Sequence, residues 1–167
     1  NMGRWRRGST VLTTRRAIFT IAAVLIFISL LLGARAYAAS CEQVAAAVNA
    51  QLTARIDPRE LAEVLRTLDR TDNRRLPPKF VTKREARERG WKPGRDLWSV
   101  PGLRGASIGG DHFRNREDRL PAGKWREADL DYQGGRRGGK RLVFSGDGRR
   151  FITVDHYRTF MEIPLCQ

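Results

Sequence analysis

Residues 141–155 read R-L-V-F-S-G-D-G-R-R-F-I-T-V-D and contain two runs rich in β-forming residues, Arg141 to Ser145 and Arg150 to Asp155. The triplet Gly146-Asp147-Gly148 separates the two runs and is typical of a hairpin turn. A further extended run follows from His156 to Ile163. The carboxyl-terminal part of the chain is therefore predicted to form antiparallel strands.

Helix signals precede these strands. Ser40-x-x-Gln43 has the pattern of a capping box and stands before the alanine-rich run from Val44 to Leu52. The start of a second helix is marked by Asp57 as N-cap and Pro58 at the first helical position. Its apolar residues recur at helical spacing, which predicts one buried face: Leu61, Val64, Leu65 and Leu68.

A third, shorter helix is predicted after Thr82-x-x-Glu85, with its end at Gly90. Glycine and proline dominate from Trp91 to Gly110, which predicts turns around a short helical piece near Leu97. Helices followed by strands with hairpin-length connections favour an α+β domain. In it the amino-terminal helices pack on a carboxyl-terminal antiparallel β-sheet.

Residues 1–38 have the three parts of a secretory signal peptide. The segment 1–16 carries five arginines and no acid, and an apolar run of 17 residues follows from Ala17 to Gly33. The triplet Ala36-Tyr37-Ala38 then offers a cleavage site. A retained membrane anchor is the alternative, because 17 apolar residues lie at the lower edge of what spans a bilayer. Residues 39–167 are predicted to form a single domain, which would be secreted and extracellular or, if anchored, held outside the membrane.

The charge and the cysteine content favour an exported domain that binds a polyanion. Six of the 32 basic residues and none of the 18 acidic ones precede residue 38, which leaves 26 basic and 18 acidic residues, a net charge of +8. Such an excess suits nucleic acid or an anionic membrane surface. Cys41 and Cys166 are the two cysteines of the chain. In an exported protein they are expected to pair, the alternatives being free thiols or a lipidated Cys41.

Few groups in the carboxyl-terminal half titrate near neutral pH. His112 and His156 are the two histidines of the chain, and no cluster has the spacing of metal ligands, so no metal or cofactor is predicted. His156 falls on the predicted strand that continues from Asp155, and Glu127 lies among aromatic and basic residues in Trp125 to Asp129. A carboxylate base, an imidazole acid and nearby arginines suit the cleavage of a phosphodiester. His112, in a glycine-bounded loop, is interpreted as a surface residue.

Six blocks in this order make the chain resemble the barnase-like family of small extracellular bacterial ribonucleases, most strongly over residues 76–163. They are L-P-P-K-F-V-T-K (76–83), G-W (90–91), S-I-G-G-D-H-F-R-N-R-E (107–117), L-P (120–121), W-R-E-A-D (125–129) and D-H-Y-R-T-F (155–160). The segment from Cys41 to Ile56 has no clear counterpart in the family, and His112 and Arg114 are larger or more polar than its loop leads one to expect.

This resemblance implies a role for each matching residue. Glu127 would be the general base and His156 the general acid. The cations that hold the scissile phosphate would be Lys83, Arg137 and Arg141, with Arg136 taking the place of Arg137 if the register slipped by one. Asp129 would be a structural counter-ion between the arginines, and Asp111 would shape its loop. The substrate-binding set would be Phe113, Asn115, Arg116, Glu117 and Tyr157.

The activity implied is cleavage of single-stranded RNA, preferentially after guanosine, through a 2′,3′-cyclic phosphate and without a metal or cofactor. Two alternatives stay open: an idle nucleic-acid-binding module on the same scaffold, and the same activity in a membrane-tethered or delivered antibacterial toxin. RNA is the expected partner of a monomeric protein. A barstar-like protein inhibitor is also expected, because a nuclease that folds before export endangers its producer.

Overall fold

Within residues 38–167, three helices begin at the capping residues that the sequence predicts. Helix α1 spans Cys41–Gln51, and Ser40 and Gln43 form its capping box. Helix α2 spans Pro58–Arg70, and the Asp57 side chain accepts hydrogen bonds from the first turn. Helix α3 spans Lys83–Glu88 behind Thr82. The computed structural model describes residues 38–167, which form one compact unit, so the predicted signal peptide or anchor lies outside the described residues. In this part of the chain no helix has the length and apolar character needed to cross a bilayer.

Six strands form one sheet in the order of the chain, which confirms the α+β fold. Strand β1 pairs in parallel with β2, and all other neighbours are antiparallel. A short 3₁₀ helix lies at Leu97–Ser99, as predicted near Leu97. The strands are β1 Phe80–Val81, β2 Ser107–Phe113, β3 Trp125–Asp129, β4 Arg141–Ser145, β5 Arg150–Thr153 and β6 Met161–Glu162.

Alternation along the central strands divides the sheet into a helix-facing side and an opposite side. Leu142 and Phe144 of β4 are buried in the main core together with the apolar face of α2. Val143, between them, packs instead with Trp125 in a small separate cluster. Because Glu127 pairs with Val143 across β3 and β4, its side chain lies on the side away from the helices. The sheet therefore presents Glu127 on a face that α1 and α2 do not cover.

The prediction of turns up to Gly110 is wrong at its end, where residues 107–110 belong to β2. Gly109 is needed there for close packing: an added Cβ would lie 2.6 Å from Phe80 and 2.9 Å from Leu76. Gly110 has a positive φ of 95° where the β2–β3 register shifts. A glycine pair that the sequence presents as a turn is thus a bulge inside a strand.

The predicted strand around His156 is also wrong. Strand β5 ends at Thr153 rather than at Asp155, and the extended run 156–163 is reduced to β6. His156 and Tyr157 have φ values of 60° and 70°, in the left-handed region. Two consecutive non-glycine residues with positive φ reverse the chain and cannot continue a ladder.

The predicted disulfide is present between Cys41 and Cys166. Their Cα atoms are 4.8 Å apart, and each residue is 1% exposed. The backbone N–H of Gln167 also donates to the carbonyl of Ala39 at 3.1 Å. The bond therefore ties α1 to the end of the chain across a sequence separation of 125 residues.

Candidate active site

The centre of the candidate site is the carboxylate of Glu127, whose side chain is 7% exposed. Lys83 Nζ lies 2.8 Å from Oε1, and the Tyr157 hydroxyl donates to Oε2. Burial raises the pKa of Glu127, but the hydrogen bonds from Lys83 and Tyr157 and the charges of Lys83 and Arg141 outweigh it. The pKa of Glu127 therefore lies below its ordinary value, and the carboxylate is ready to accept a proton.

Lys83 reaches Glu127 from the first turn of α3. Thr82 and Glu85 close a capping box at this helix start. The Asp111 carboxylate on β2 accepts a hydrogen bond from the backbone N–H of Lys83 at 2.9 Å. Asp111 therefore anchors the helix that carries Lys83, whereas the sequence led us to expect that it would shape its own loop.

Two arginines, Arg137 and Arg141, contact the carboxylate of Asp129. Asp129 and Arg141 are directly paired across β3 and β4. Arg137 makes two hydrogen bonds to the Asp129 carboxylate, and Arg141 Nε lies 2.8 Å from Oδ1. Asp129 is therefore placed as the predicted counter-ion, and the structure favours Arg137 over the exposed Arg136. One carboxylate between two guanidinium groups leaves a net positive charge, which suits a phosphate.

His156 lies in the loop between β5 and β6, where its imidazole is exposed. Its backbone N–H donates to the carbonyl of Gly139 at 3.1 Å, close to the arginine loop. Its ring centroid is 5.0 Å from that of Tyr157, the residue whose hydroxyl binds Glu127. His156 is thereby placed near the base through Tyr157.

The β5–β6 loop depends on Asp155, a residue to which sequence reasoning gave no role. Its carboxylate accepts hydrogen bonds from the backbone N–H groups of Arg158 and Thr159, each at 3.0 Å, and from the hydroxyls of Thr153 and Thr159. These bonds, led by the hydroxyl of Thr159, lower the pKa of Asp155 to about 2. The sequence signal was an aspartate followed by polar hydrogen-bonding residues, which is typical of an Asx-type turn.

A pocket of about 120 Å³ adjoins this loop. Phe113 stacks on Tyr157, with ring centroids 5.2 Å apart and planes inclined by 26°. The lining residues come from the 113–119 loop and the loop after His156: Phe113, Arg114, Asn115, Arg116, Glu117, Arg119, Tyr157 and Phe160. All five residues of the predicted substrate-binding set are therefore together.

Two members of that set are bound to neighbours in the loop. The Asn115 side chain both donates to and accepts from the backbone of Leu120, which closes the 115–120 turn. Glu117 receives a hydrogen bond from Arg119 at 2.6 Å, and Arg119 also donates to the carbonyl of Arg158. Arg119, which sequence reasoning missed, therefore links the 113–119 loop to the loop of His156. No pattern in the sequence marks that link.

His112 lies away from this constellation. It pairs with Arg126 across β2 and β3, and directly paired residues share one side of a sheet. Arg126 precedes Glu127 in β3, so the side chains of Arg126 and Glu127 point to opposite sides of the sheet. His112 therefore lies on the side away from Glu127. The interpretation of His112 as an exposed surface residue agrees with this position.

The fold and the site together define a class of protein: an α+β domain with a carboxylate, an imidazole and a group of lysine and arginine cations at one side of its sheet. Within residues 38–167, no group of three or more side chains has the composition and proximity expected of a metal site.

Comparison with known proteins identifies the family. The ribonuclease family matches residues 66–164 of the chain. A ribonuclease of Heyndrickxia coagulans is 46% identical over 94 residues, which cover 54% of this chain and 84% of that protein. Ribonucleases of Bacillus intermedius and Bacillus pumilus are also 46% identical over 94 residues, with 57% of each covered. The chain belongs to the ribonuclease family, and the predicted class of enzyme, an endoribonuclease of the barnase-like type, is confirmed.

Proposed function

We propose that the protein cleaves single-stranded RNA by transesterification, with Glu127 as general base and His156 as general acid. The observation that supports it most is the buried carboxylate of Glu127, which Lys83 and the Tyr157 hydroxyl contact, with the ring of the exposed His156 5.0 Å from that of Tyr157. The hydrogen bonds from Lys83 and Tyr157 favour the ionised form of the carboxylate, which is the form that can accept a proton.

The reaction uses the 2′-hydroxyl that RNA has and DNA lacks. Glu127 takes the proton of this hydroxyl as its oxygen attacks the adjacent phosphorus. His156 gives a proton to the departing 5′-oxygen, which leaves a 2′,3′-cyclic phosphate. Hydrolysis of that product uses the same two groups in exchanged roles. Lys83, Arg137 and Arg141 stabilise the negative charge that gathers on the phosphorane oxygens, so no step needs a metal ion.

Guanosine is the proposed nucleoside on the 5′ side of the cleaved bond. The guanine edge with two acceptors fits a bidentate arginine, a role for Arg116 on the exposed rim of the pocket. Glu117 would accept hydrogen bonds from the opposite edge of the base. The stacked rings of Phe113 and Tyr157 offer an aromatic wall against which a base can lie.

The test is incubation of the purified protein with RNA and with DNA of the same sequence in EDTA. We expect RNA to be cut, DNA to stay intact, and fragments to end in guanosine 2′,3′-cyclic phosphate. Activity that is lost in EDTA and restored by a divalent ion would refute the mechanism. Binding of RNA without cleavage would favour the idle module. Equal rates on GpA and ApA would refute only the guanosine preference.

We also propose that the protein acts outside the cell. The Cys41–Cys166 bond supports this, because such bonds form and persist in oxidising compartments. Mass spectrometry of protein from the culture medium should find a chain that begins near residue 39. A full-length chain confined to the membrane fraction would favour the anchor instead.

A further inference from the structure

The 113–119 loop lines the pocket proposed for guanine on one side and a second groove on its other side. Phe113, at the end of β2, points toward Tyr157. His112 and Arg114 flank Phe113, and alternation along an extended chain places both of their side chains on the other side. An open groove of about 330 Å³ lies there, with His112, Arg114, Arg116 and Asp118 among its lining residues.

This groove is cationic and its charges are available. Arg114 and Arg116 are exposed, and neither makes an ion pair or a side-chain hydrogen bond within residues 38–167. In contrast, Arg119 and Arg137 are engaged with carboxylates. Asp118 is the one acidic residue among those that line the groove.

The groove adjoins the pocket proposed for guanine, because residues 113–116 line both. A guanosine in the pocket has its 3′-phosphate at Glu127 and His156. The strand on its 5′ side must leave in another direction, and the 113–119 loop lies between the groove and the pocket that Tyr157 lines. Single-stranded RNA carries one phosphate per nucleotide, and each phosphate that a protein neutralises releases counterions.

We propose that His112 and Arg114 form a groove that binds the phosphates of RNA on the 5′ side of the guanosine whose 3′ bond is cleaved. This proposal rests on the proposed function and extends it from a dinucleotide to a longer strand. Contacts of this kind position a nucleic acid without reading its sequence.

The test compares kcat/KM for GpA with that for UpUpGpA, in which the single guanosine carries two 5′ nucleotides. We expect the longer substrate to be cleaved about 5- to 20-fold more efficiently at low salt. Its log(kcat/KM) should also fall more steeply with log salt, by about 0.7 for each phosphate bound. The double variant His112→Asn, Arg114→Ser should lose most of this gain and the extra salt dependence.

The matched control is Arg104→Ser, which removes an exposed arginine from the turn before β2 and should keep the full gain. Because the result is a ratio of two substrates within one variant, a partial loss of folded protein cancels. A wild-type protein that cleaves both substrates equally well, or a double variant that keeps the gain, overturns the groove and leaves the proposed function standing. A wild-type protein that cleaves neither substrate overturns both.

Discussion

A carboxyl group as buried as Glu127 would tend to hold its proton at neutral pH without partners, because burial penalises the charged form. Here Lys83 and the Tyr157 hydroxyl each donate to one of its oxygens. The net pKa of Glu127 is lowered. In stability terms, the contribution of this group is present above its unfolded pKa of about 4.3 and is lost as pH falls through the lower folded value.

The acid limb of the pH profile of kcat/KM should show the lowered pKa of Glu127. Since the base must be ionised in the free enzyme, the acid limb should lie below about pH 4.3. Tyr157→Phe removes one donor that lowers the pKa of Glu127, so the acid limb should move to higher pH. Tyr132→Phe removes a hydroxyl bonded to Asp96, away from Glu127, and should leave the limb in place. An acid limb that does not move in Tyr157→Phe would show that this hydrogen bond does not tune the base.

At the scale of elements, the β5–β6 loop decides where the proposed acid stands. Asp155 holds the loop through backbone and side-chain donors on both sides of His156. Asp155→Ala should lower kcat by about 10- to 100-fold, because a small displacement of a catalytic group is costly. KM should change less, and Asp155→Asn should recover part of the loss, since its amide oxygen still accepts. Steady-state kinetics on GpA and far-UV circular dichroism measure rate and fold.

A similar aspartate serves as control in the β4–β5 turn. Asp147 accepts hydrogen bonds from Ser145 and Arg149 but lies outside the described site. Asp147→Ala should therefore leave kcat unchanged. If Asp155→Ala, properly folded, kept the wild-type kcat, the loop would not depend on Asp155 for its catalytic geometry.

Elements with strong local signals could be predicted from sequence, and those set by distant contacts could not. Asp57 with Pro58 sets the start of α2, and Gly146 to Gly148 sets the β4–β5 turn, because these residues act on their own backbone. Gly109 is inside a strand because Leu76 and Phe80 leave no room for a side chain, which no local pattern shows. His156 leaves the predicted strand because Asp155 organises the following turn and Gly139 accepts its N–H.

The candidate site, too, could be predicted from sequence in part. The family blocks contain Lys83, Glu127 and Asp129, and the resemblance also implied Arg137 and Arg141. In the structure Lys83 contacts Glu127, and both arginines contact Asp129. The link that Arg119 makes was missed. Arg119 bridges two loops that are far apart in sequence, and its partner is a backbone carbonyl, which any residue offers.

At the scale of the whole molecule, α1 lies outside residues 66–164, which the family matches. It packs on α2 in the main core and is tied to the end of the chain by the Cys41–Cys166 bond. Closing a loop of this length restricts the unfolded chain, which stabilises the folded state by about 3–5 kcal/mol in the chain-entropy model.

The variant with both cysteines changed to serine should lose about that much free energy of unfolding, measured by urea denaturation. Its kcat at 25 °C should stay near the wild-type value, since neither cysteine contacts a residue of the candidate site. Wild-type protein under strong reductant should show the same loss and so serves as the control. An unchanged urea midpoint in the serine variant would contradict a stabilising role for this bond.

The central claim, that Glu127 and His156 act as a base–acid pair, is tested most directly by the rate of RNA cleavage by His156→Ala in EDTA. His156 is exposed, so the variant should fold, which circular dichroism verifies. We predict a rate about 10²- to 10⁴-fold below that of the wild-type protein, the usual cost of losing a general acid. A folded His156→Ala variant that cleaves RNA at a near-normal rate would contradict the account and make His112 the next residue to change.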